Sequence, residues 1–112
     1  MRIAIVGSRN ITVKDIGKYL PDGVCEIVSG GARGVDSCAA RYAAAHKITL
    51  TEFLPEYEKY SRAAPVVRNE RIVDYSDEVI AFWDGVSKGT LSVIRLCEKK
   101  GKKCTVIMVT EN

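Results

Sequence analysis

The sequence lacks a long apolar run, a large excess of either charge and a recognisable export signal. No run approaches the roughly 18 residues that would cross a bilayer, and the opening "RIAIV" is not part of a signal-like apolar region. We therefore expect a cytoplasmic protein with no membrane partner. Seventeen Lys and Arg against 14 Asp and Glu leave a net charge of +3. This excess is too mild for a dedicated binder of duplex DNA, so nucleic acid is not the expected partner, whereas a small anionic ligand stays open.

Cysteine and histidine are also too few and too scattered for a metal site. The chain has one histidine, His46, and four cysteines with no C-x-x-C spacing, namely Cys25, Cys38, Cys97 and Cys104. Neither a zinc knuckle nor a redox pair is predicted, and we expect four buried, reduced thiols among apolar neighbours.

The common nucleotide fingerprints are missing as well. There is no G-x-x-x-x-G-K-[ST], and no G-x-G-x-x-G follows the first apolar run. The second apolar run ends in Ser29-Gly30-Gly31, where a dinucleotide dehydrogenase would carry an acid for the ribose hydroxyl. A Walker-type triphosphate site and hydride transfer are therefore poor predictions.

What the chain does contain is a regular alternation of short apolar runs and longer helical ones. Five runs rich in β-branched residues predict strands: Arg2 to Val6, Cys25 to Ser29, Ile48 to Leu54, Glu78 to Trp83 and Cys104 to Val109. Four intervening segments predict helices: one from a Thr12 N-cap to Pro21, one with a buried stripe from Val35 to Ala43, one from Pro65 to Tyr75, and one from Lys88 to Lys100 that buries Leu91, Ile94 and Cys97.

This alternation predicts a single Rossmann-like α/β domain over residues 1–112. Near-continuous apolar strands indicate a five-stranded parallel sheet with helices on both faces. Right-handed crossovers give the strand order 3-2-1-4-5, which places the ends of strands one and four side by side. Ligands of such folds bind at this point, outside the carboxyl ends of the strands.

Three strand ends carry turns of glycine and small residues: "VGSRN", "SGGARG" and "WDGVSKGT". Glycines let backbone N–H groups approach a ligand, and each turn opens a segment predicted to be helical, whose start favours phosphate. The basic residues Arg9, Arg33 and Lys88 lie in these turns, and Arg68 is expected in the first turn of the third helix. Together they predict a phosphate cradle. The alternative is that the glycines only allow tight turns and that the cations are solvated.

The same motifs carry a family resemblance. "GSR", "SGGARGVD", "RAAPVVRN" and "AFWDGVSKGT", in this order over nearly the whole chain, resemble the YspA and cpYpsA-related branch of the SLOG superfamily. The resemblance implies a pocket for a nucleotide, a nucleotide sugar or an NAD-derived ligand such as ADP-ribose, with a role in sensing or processing. Superfamily relatives include the LOG phosphoribohydrolases and the DNA-processing protein DprA.

Carried over motif by motif, the resemblance assigns binding positions to this chain. The first motif gives Gly7, Ser8 and Arg9, and the second gives Ser29, Gly30, Gly31, Arg33, Gly34 and Asp36. The third gives Arg68 and Asn69, and the fourth gives Asp84, Gly85, Ser87, Gly89 and Thr90, beside Lys88.

The sequence departs from the LOG enzymes where those carry a catalytic glutamate, because Val93 occupies that position. Asp36 and Asp84 are the remaining candidates for a carboxylate that holds a ribose hydroxyl or directs water. Each also has a purely structural interpretation, as a first-turn acid for Asp36 and as a turn residue for Asp84.

Three functions follow as hypotheses. The first is a binding module for a nucleotide or nucleotide derivative, with no firmly held cofactor predicted. The second is an N-glycosidic hydrolase, which Val93 disfavours, and the third is a binder of single-stranded nucleic acid, which the modest charge disfavours. Formation of a homodimer stays open, and the sequence does not indicate its interface.

Overall fold

The computed structural model describes residues 1–109, and its centre is a five-stranded sheet in which every pair of neighbouring strands is parallel. The strands are β1 (Arg2–Gly7), β2 (Glu26–Ser29), β3 (Thr49–Glu52), β4 (Glu78–Trp83) and β5 (Cys104–Met108). Their order across the sheet is β3-β2-β1-β4-β5. The predicted fold class and strand order are therefore confirmed, with β2 and β3 shorter than expected.

Four α-helices connect the strands: α1 (Val35–Ala45), α2 (Tyr57–Tyr60), α3 (Ala64–Tyr75) and α4 (Lys88–Lys100). The fourth ends at Gly101, whose left-handed conformation, φ +69°, terminates it after two lysines. Two short 3-10 turns, Ile16–Tyr19 and Ser61–Ala63, complete the described chain. No helix within residues 1–109 is long and apolar enough to cross a membrane.

The sheet separates two layers of core. Successive residues of a strand point to opposite faces, so Ile3 and Ile5 of β1 pack with α1, whereas Ala4 and Val6 pack with α3 and α4. Val35 and Val73 lie fully buried on the two sides. Helices thus cover both faces, as a parallel sheet with apolar strands requires.

The prediction of a first helix starting at Thr12 is wrong. Thr12 is exposed and caps nothing, and only the 3-10 turn Ile16–Tyr19 forms, after Asp15. Gly17 lies in the middle of this segment, where a glycine disfavours an α-helix by about 1 kcal/mol. A Cβ at Gly17 would lie 2.8 Å from the hydroxyl at the far end of the Tyr42 side chain, so the segment packs closely against α1.

Other expectations need smaller corrections. The four cysteines have free thiols, but Cys25 is exposed and Cys104 is half-buried, because both lie at the amino ends of strands, where less of the chain covers them. Leu91 is half-buried rather than buried, since α4 turns Thr90, Val93, Ile94 and Cys97 inward instead.

The segment between β3 and α3 also differs from expectation. It is not wholly irregular, since it contains α2 and the second 3-10 turn. Helix α3 begins one residue before Pro65, at Ala64. Arg68 consequently lies in the second turn of α3 and not in the first.

Candidate functional site

A cavity of about 410 Å³ opens at the carboxyl ends of β1 and β2 and reaches α4, which follows β4. It therefore covers the switch point that was predicted between strands one and four. Its volume is in the range of small-molecule sites. Segments far apart in the sequence supply its walls: the β1–loop residues Val6, Gly7, Ser8, Arg9 and Asn10, the β2 loop and α1 residues Gly30, Ala32 and Asp36, the α3 residues Pro65, Arg68, Asn69 and Ile72, and the α4 residues Ser87, Gly89, Thr90 and Val93.

Backbone contacts join the first two loops. The Ser8 carbonyl accepts hydrogen bonds from the N–H groups of Ile11, at 3.3 Å, and Val35, at 3.4 Å. Gly34, with φ +71°, makes this approach possible, because a Cβ there would lie only 2.6 Å from the Ser8 carbonyl oxygen. The first N–H of α1 is thereby used within the protein, so this helix start offers one fewer donor to a ligand.

The Ser8 hydroxyl is the least satisfied polar group of the cavity. Ser8 is 2% exposed, and its Oγ has no hydrogen-bond partner among the described residues. The hydroxyl lies close enough to Asp84 to help lower the pKa of that carboxyl, but not in hydrogen-bond geometry. Buried hydroxyls are normally paired, so an unpaired one is unusual among the described residues.

The start of α4 lies on the same cavity. Ser87 precedes the helix but makes no side-chain capping hydrogen bond to it. Its Oγ instead lies 3.3 Å from the hydroxyl of Thr90. The first-turn N–H groups of a helix have no partner within the helix, so those of α4 are donors without a side-chain acceptor. A Cβ built on Gly89 would meet no protein atom within 4 Å, which leaves open space beside these donors.

Arg68 and Asp36 form the charged wall. Arg68 donates through Nη1 to the Gly30 carbonyl at 3.0 Å and through Nε to Asn69 Oδ1 at 2.9 Å. Asp36 Oδ2 accepts the N–H of Ala32 at 3.0 Å. The contact with Gly30 ties Arg68 to the loop after β2, and the contacts with Asn69 and Ala32 are local, so both charged side chains are held in place.

Burial dominates the electrostatics of this wall. Loss of water raises the pKa of Asp36 above its usual range, even though the Ala32 N–H and the nearby Arg68 favour the carboxylate. Burial also lowers the pKa of Arg68, and Asp36 opposes this shift. Asp36 is therefore a carboxyl with a raised proton affinity inside a cavity, which is a property often found at functional sites.

Asp84 is a turn residue, which was the structural interpretation of its position in the sequence. Its Oδ1 accepts the N–H groups of Val86 at 2.9 Å and Ser87 at 2.7 Å, and these bonds are the main cause of its lowered pKa. Asp84 thus shapes the turn that leads into α4 and does not line the cavity.

The structure brings together ten of the predicted binding residues on the cavity wall: Gly7, Ser8, Arg9, Gly30, Asp36, Arg68, Asn69, Ser87, Gly89 and Thr90. Seven others lie outside its lining: Ser29, Gly31, Arg33, Gly34, Asp84, Gly85 and Lys88. Ser29 and Gly34 still support the loops, because Ser29 Oγ accepts the Gly31 N–H at 3.2 Å and Gly34 carries the close approach to Ser8.

Sequence reasoning missed the apolar part of the wall. Val6, Ala32, Pro65 and Ile72 line the cavity but were not among the predicted binding residues, although Ala32 and Pro65 lie within the quoted motifs. Val93, noted only for replacing an acid, lines it too. The resemblance was the one signal that pointed to Val93. The aromatic residues Tyr57, Tyr60 and Trp83 do not line the cavity, so they form no stacking platform inside it.

Comparison with known families gives one match. A family model described as DNA recombination-mediator protein A matches residues 1–50. The matched part contains β1, β2 and α1, and hence the loops that carry Ser8, Gly30 and Asp36. This amino-terminal part is similar to that family, whereas α3 and α4 lie beyond the match. No match was found among curated proteins or among solved structures.

Proposed function

We propose that the chain binds a nucleotide or a nucleotide derivative, such as a nucleotide sugar, ADP-ribose or another NAD-derived compound, as a sensor or processing module. The observation that carries the proposal is the buried, unpaired hydroxyl of Ser8 in a cavity that also receives the start of α4. A phosphate group would accept from this hydroxyl and from the first-turn N–H groups of α4.

The remaining walls suit the rest of such a ligand. Arg68 supplies a fixed cation for a second phosphate, and Asp36 supplies an acceptor for a ribose hydroxyl. Pro65, Ile72 and Val93 provide an apolar wall for a base or sugar face. This arrangement extends the relation to SLOG proteins that the four motifs suggest, and assignment to the YspA branch is part of the proposal.

Isothermal titration with AMP, ADP-ribose and NAD tests the proposal on wild-type protein and on Gly89→Ala. The added methyl group would enter open space and contact no protein atom, so the fold should be kept or slightly stabilised by removal of a helical glycine. We expect Gly89→Ala to lower the affinity at least about tenfold, because the methyl group would occupy the position of the phosphate.

Ser76→Ala serves as the matched control, since Ser76 is a buried serine outside the cavity. The Ser76→Ala variant should bind the three ligands with the affinity of the wild type. Failure of all three ligands to bind would refute the proposal, and equal affinity in Gly89→Ala would place the phosphate elsewhere.

Cleavage of an N-glycosidic bond is a second candidate, and the buried Asp36 with its raised pKa is the observation that favours it. A carboxyl whose pKa is raised by burial keeps its proton to a higher pH than an exposed one does, and this is the direction that a general acid toward a departing base requires. In this case Asp36→Asn would abolish turnover while ligand binding persists.

Binding of single-stranded nucleic acid is a third candidate, suggested by the name of the family that matches residues 1–50. The same cavity would then receive a terminal or flipped nucleotide. Fluorescence anisotropy with a labelled single-stranded oligonucleotide, to which free AMP is then added, tests whether oligonucleotide and nucleotide bind at the same site. Displacement of the oligonucleotide by AMP would indicate one shared site.

A further inference from the structure

The outer side of α4 carries a shallow, open cleft with a single wall, which the candidate site does not use. One helix supplies all of its lining residues: Lys88, Leu91, Ser92, Arg95, Leu96 and Lys99. They recur at helical spacing and so form one stripe, which we call the α4 stripe. The cavity-facing residues of the same helix, among them Gly89 and Val93, lie on a different side.

The cations of the α4 stripe have no acidic partners. Lys88, Arg95 and Lys99 are exposed, and none of them makes an ion pair or hydrogen bond with the rest of residues 1–109. Their spacing of seven and four residues spreads them over about 16 Å of helix. Within residues 1–109 the stripe is therefore an aligned row of positive charge without ion-pair partners.

Nearby lysines behave differently. Lys100 lies 2.7 Å from Asp74 and 3.6 Å from Glu70, and Lys103 lies 3.6 Å from Glu78. Glu98 is the one acid of α4, and it is not among the lining residues. Its charge instead favours the protonated thiol of Cys104 and so acts to raise the pKa of that group. In the part of the chain that the structure describes, the cations flanking the stripe are thus paired and those of the stripe are not.

Two leucines lie between these cations. Leu91 and Leu96 are half-buried, so part of each side chain faces the cleft. Leu96 also packs against the core beneath α4, which holds the helix face in place. An apolar floor with a cationic rim matches an amphipathic segment whose apolar side chains meet the leucines and whose carboxylates meet the rim.

Two other occupants fit less well. A second copy of the chain, using the same surface, would set three cations against three cations without intervening acids. Single-stranded nucleic acid would need stacking surfaces, and no aromatic residue lines the cleft.

We propose that the α4 stripe is a docking site for an acidic amphipathic helix of a partner protein. The carboxylates of that helix would lie against Lys88, Arg95 and Lys99, and its apolar residues at helical spacing would contact Leu91 and Leu96. This proposal is independent of the ligand in the cavity, because none of the stripe residues lines that cavity.

The test uses a synthetic helical peptide with leucines on one face and glutamates beside them, and a scrambled peptide of the same composition. Binding to ¹⁵N-labelled full chain is followed by NMR. We expect amide shifts confined to α4 and a dissociation constant at least about fivefold weaker for the scrambled peptide.

Three variants separate charge from apolar contact. The double variant Arg95→Glu with Lys99→Glu should lower the affinity for the peptide at least about tenfold. Leu91→Ser should lower the affinity severalfold and leave the salt dependence of peptide binding unchanged. Lys14→Glu reverses one positive charge at an exposed position away from α4, so it should leave the affinity unchanged.

Three outcomes would overturn the proposal. The first is equal binding of the scrambled peptide, which would reduce the stripe to a nonspecific cation surface. The second is tighter binding of an oligonucleotide that Leu91→Ser does not affect. The third is a concentration-dependent dimer that Arg95→Glu abolishes, which would assign the face to a second copy.

Discussion

Arg68 and Gly30 occupy complementary spaces: the Arg68 Nη1 donates to the Gly30 carbonyl at 3.0 Å and lies 2.7 Å from where a Cβ on Gly30 would be. The same hypothetical Cβ would lie 3.2 Å from Asp36 Oδ2. The glycine is therefore required by the close approach of two charged side chains, since its own φ is not in the left-handed region. The charged wall of the cavity depends on this missing side chain.

Gly30→Ala should move the Arg68 guanidinium without unfolding the protein, because the displaced atoms are the far end of a flexible side chain. Asp36 would then lose its nearest cation, and its already raised pKa should rise further. Carboxyl ¹³C NMR titration of Asp36 in both proteins measures the change. An unchanged or lower pKa in the variant would show that Arg68 does not act on Asp36.

Ser8→Ala should stabilise the ligand-free protein or leave its stability unchanged, and it should lower the affinity for the ligand. Removal of a buried hydroxyl without a partner relieves a desolvation cost of about 1–3 kcal/mol, in contrast to removal of a paired one. Ser76→Ala is the matched comparison, because Ser76 Oγ donates to the Ile72 carbonyl at 2.8 Å, and it should cost about 1 kcal/mol. Urea denaturation of both variants decides this, and a destabilised Ser8→Ala would mean that the hydroxyl is paired after all.

Gly34→Ala should be far more harmful than Gly101→Ala, although both glycines have a similar positive φ. Alanine at position 101 meets no atom within 4 Å, so only the left-handed backbone is unfavourable, by about 1–2 kcal/mol. Alanine at position 34 would also collide with the backbone of Ser8 and Arg9, which should bring the loss to about 3 kcal/mol or more. The difference between the two free energies of unfolding is the test, and equal losses would show that the first two loops are not in tight contact.

Asp36 should make stability fall as pH rises from about 4. Its pKa is raised in the folded chain, so above the ordinary carboxyl pKa the folded state holds more protons than the unfolded state. Stability from this group is therefore greatest at low pH and is lost as pH rises through the folded pKa. Glu26 and Asp84 have lowered pKa values, so they make stability rise with pH, in the opposite direction to Asp36. The contribution of Asp36 is therefore measured as a difference in stability between two proteins.

That difference is the stability of the wild type minus that of Asp36→Asn, measured by urea denaturation between pH 4 and pH 7. We expect it to decrease as pH rises, since asparagine cannot ionise but its carbonyl can still accept the Ala32 N–H. An increase with pH would contradict the raised pKa.

Incubation with AMP should yield little or no free adenine. Val93 lines the cavity where the resembling hydrolases carry a glutamate, and loss of a positioned acid or base reduces a rate by typically 10²–10⁴-fold. Liquid chromatography of the mixture detects the base directly. Robust turnover that disappears in Asp36→Asn would instead establish the hydrolase and assign Asp36 its acid or base.

The sheet was predictable because its strands are short and apolar and because α-helices lie in three of the four connections between them, a pattern typical of a doubly wound parallel sheet. The site was predictable only where glycine and charge mark it. Ile72 and Pro65 lie on the cavity wall, yet their apolar character within a helix is indistinguishable from that of core residues. Gly31 belongs to the glycine motif but lies outside the cavity lining and has a φ of +72°, and no sequence pattern distinguishes it from Gly30, which lines the cavity.

The pairing of β1 with β4 has a consequence for the order in which this protein can acquire its pocket. The Ser8 N–H donates to the Phe82 carbonyl, and Gly7 pairs with Phe82 across the sheet, although more than half of the chain separates them. A ribosome that has released only the first three strands has made the residues of two loops but neither α4 nor the strand that places it. Pocket assembly is thus a late event dominated by distant contacts, which slow the search for the native state. A ligand present during synthesis would stabilise only the chain in which this last step is complete.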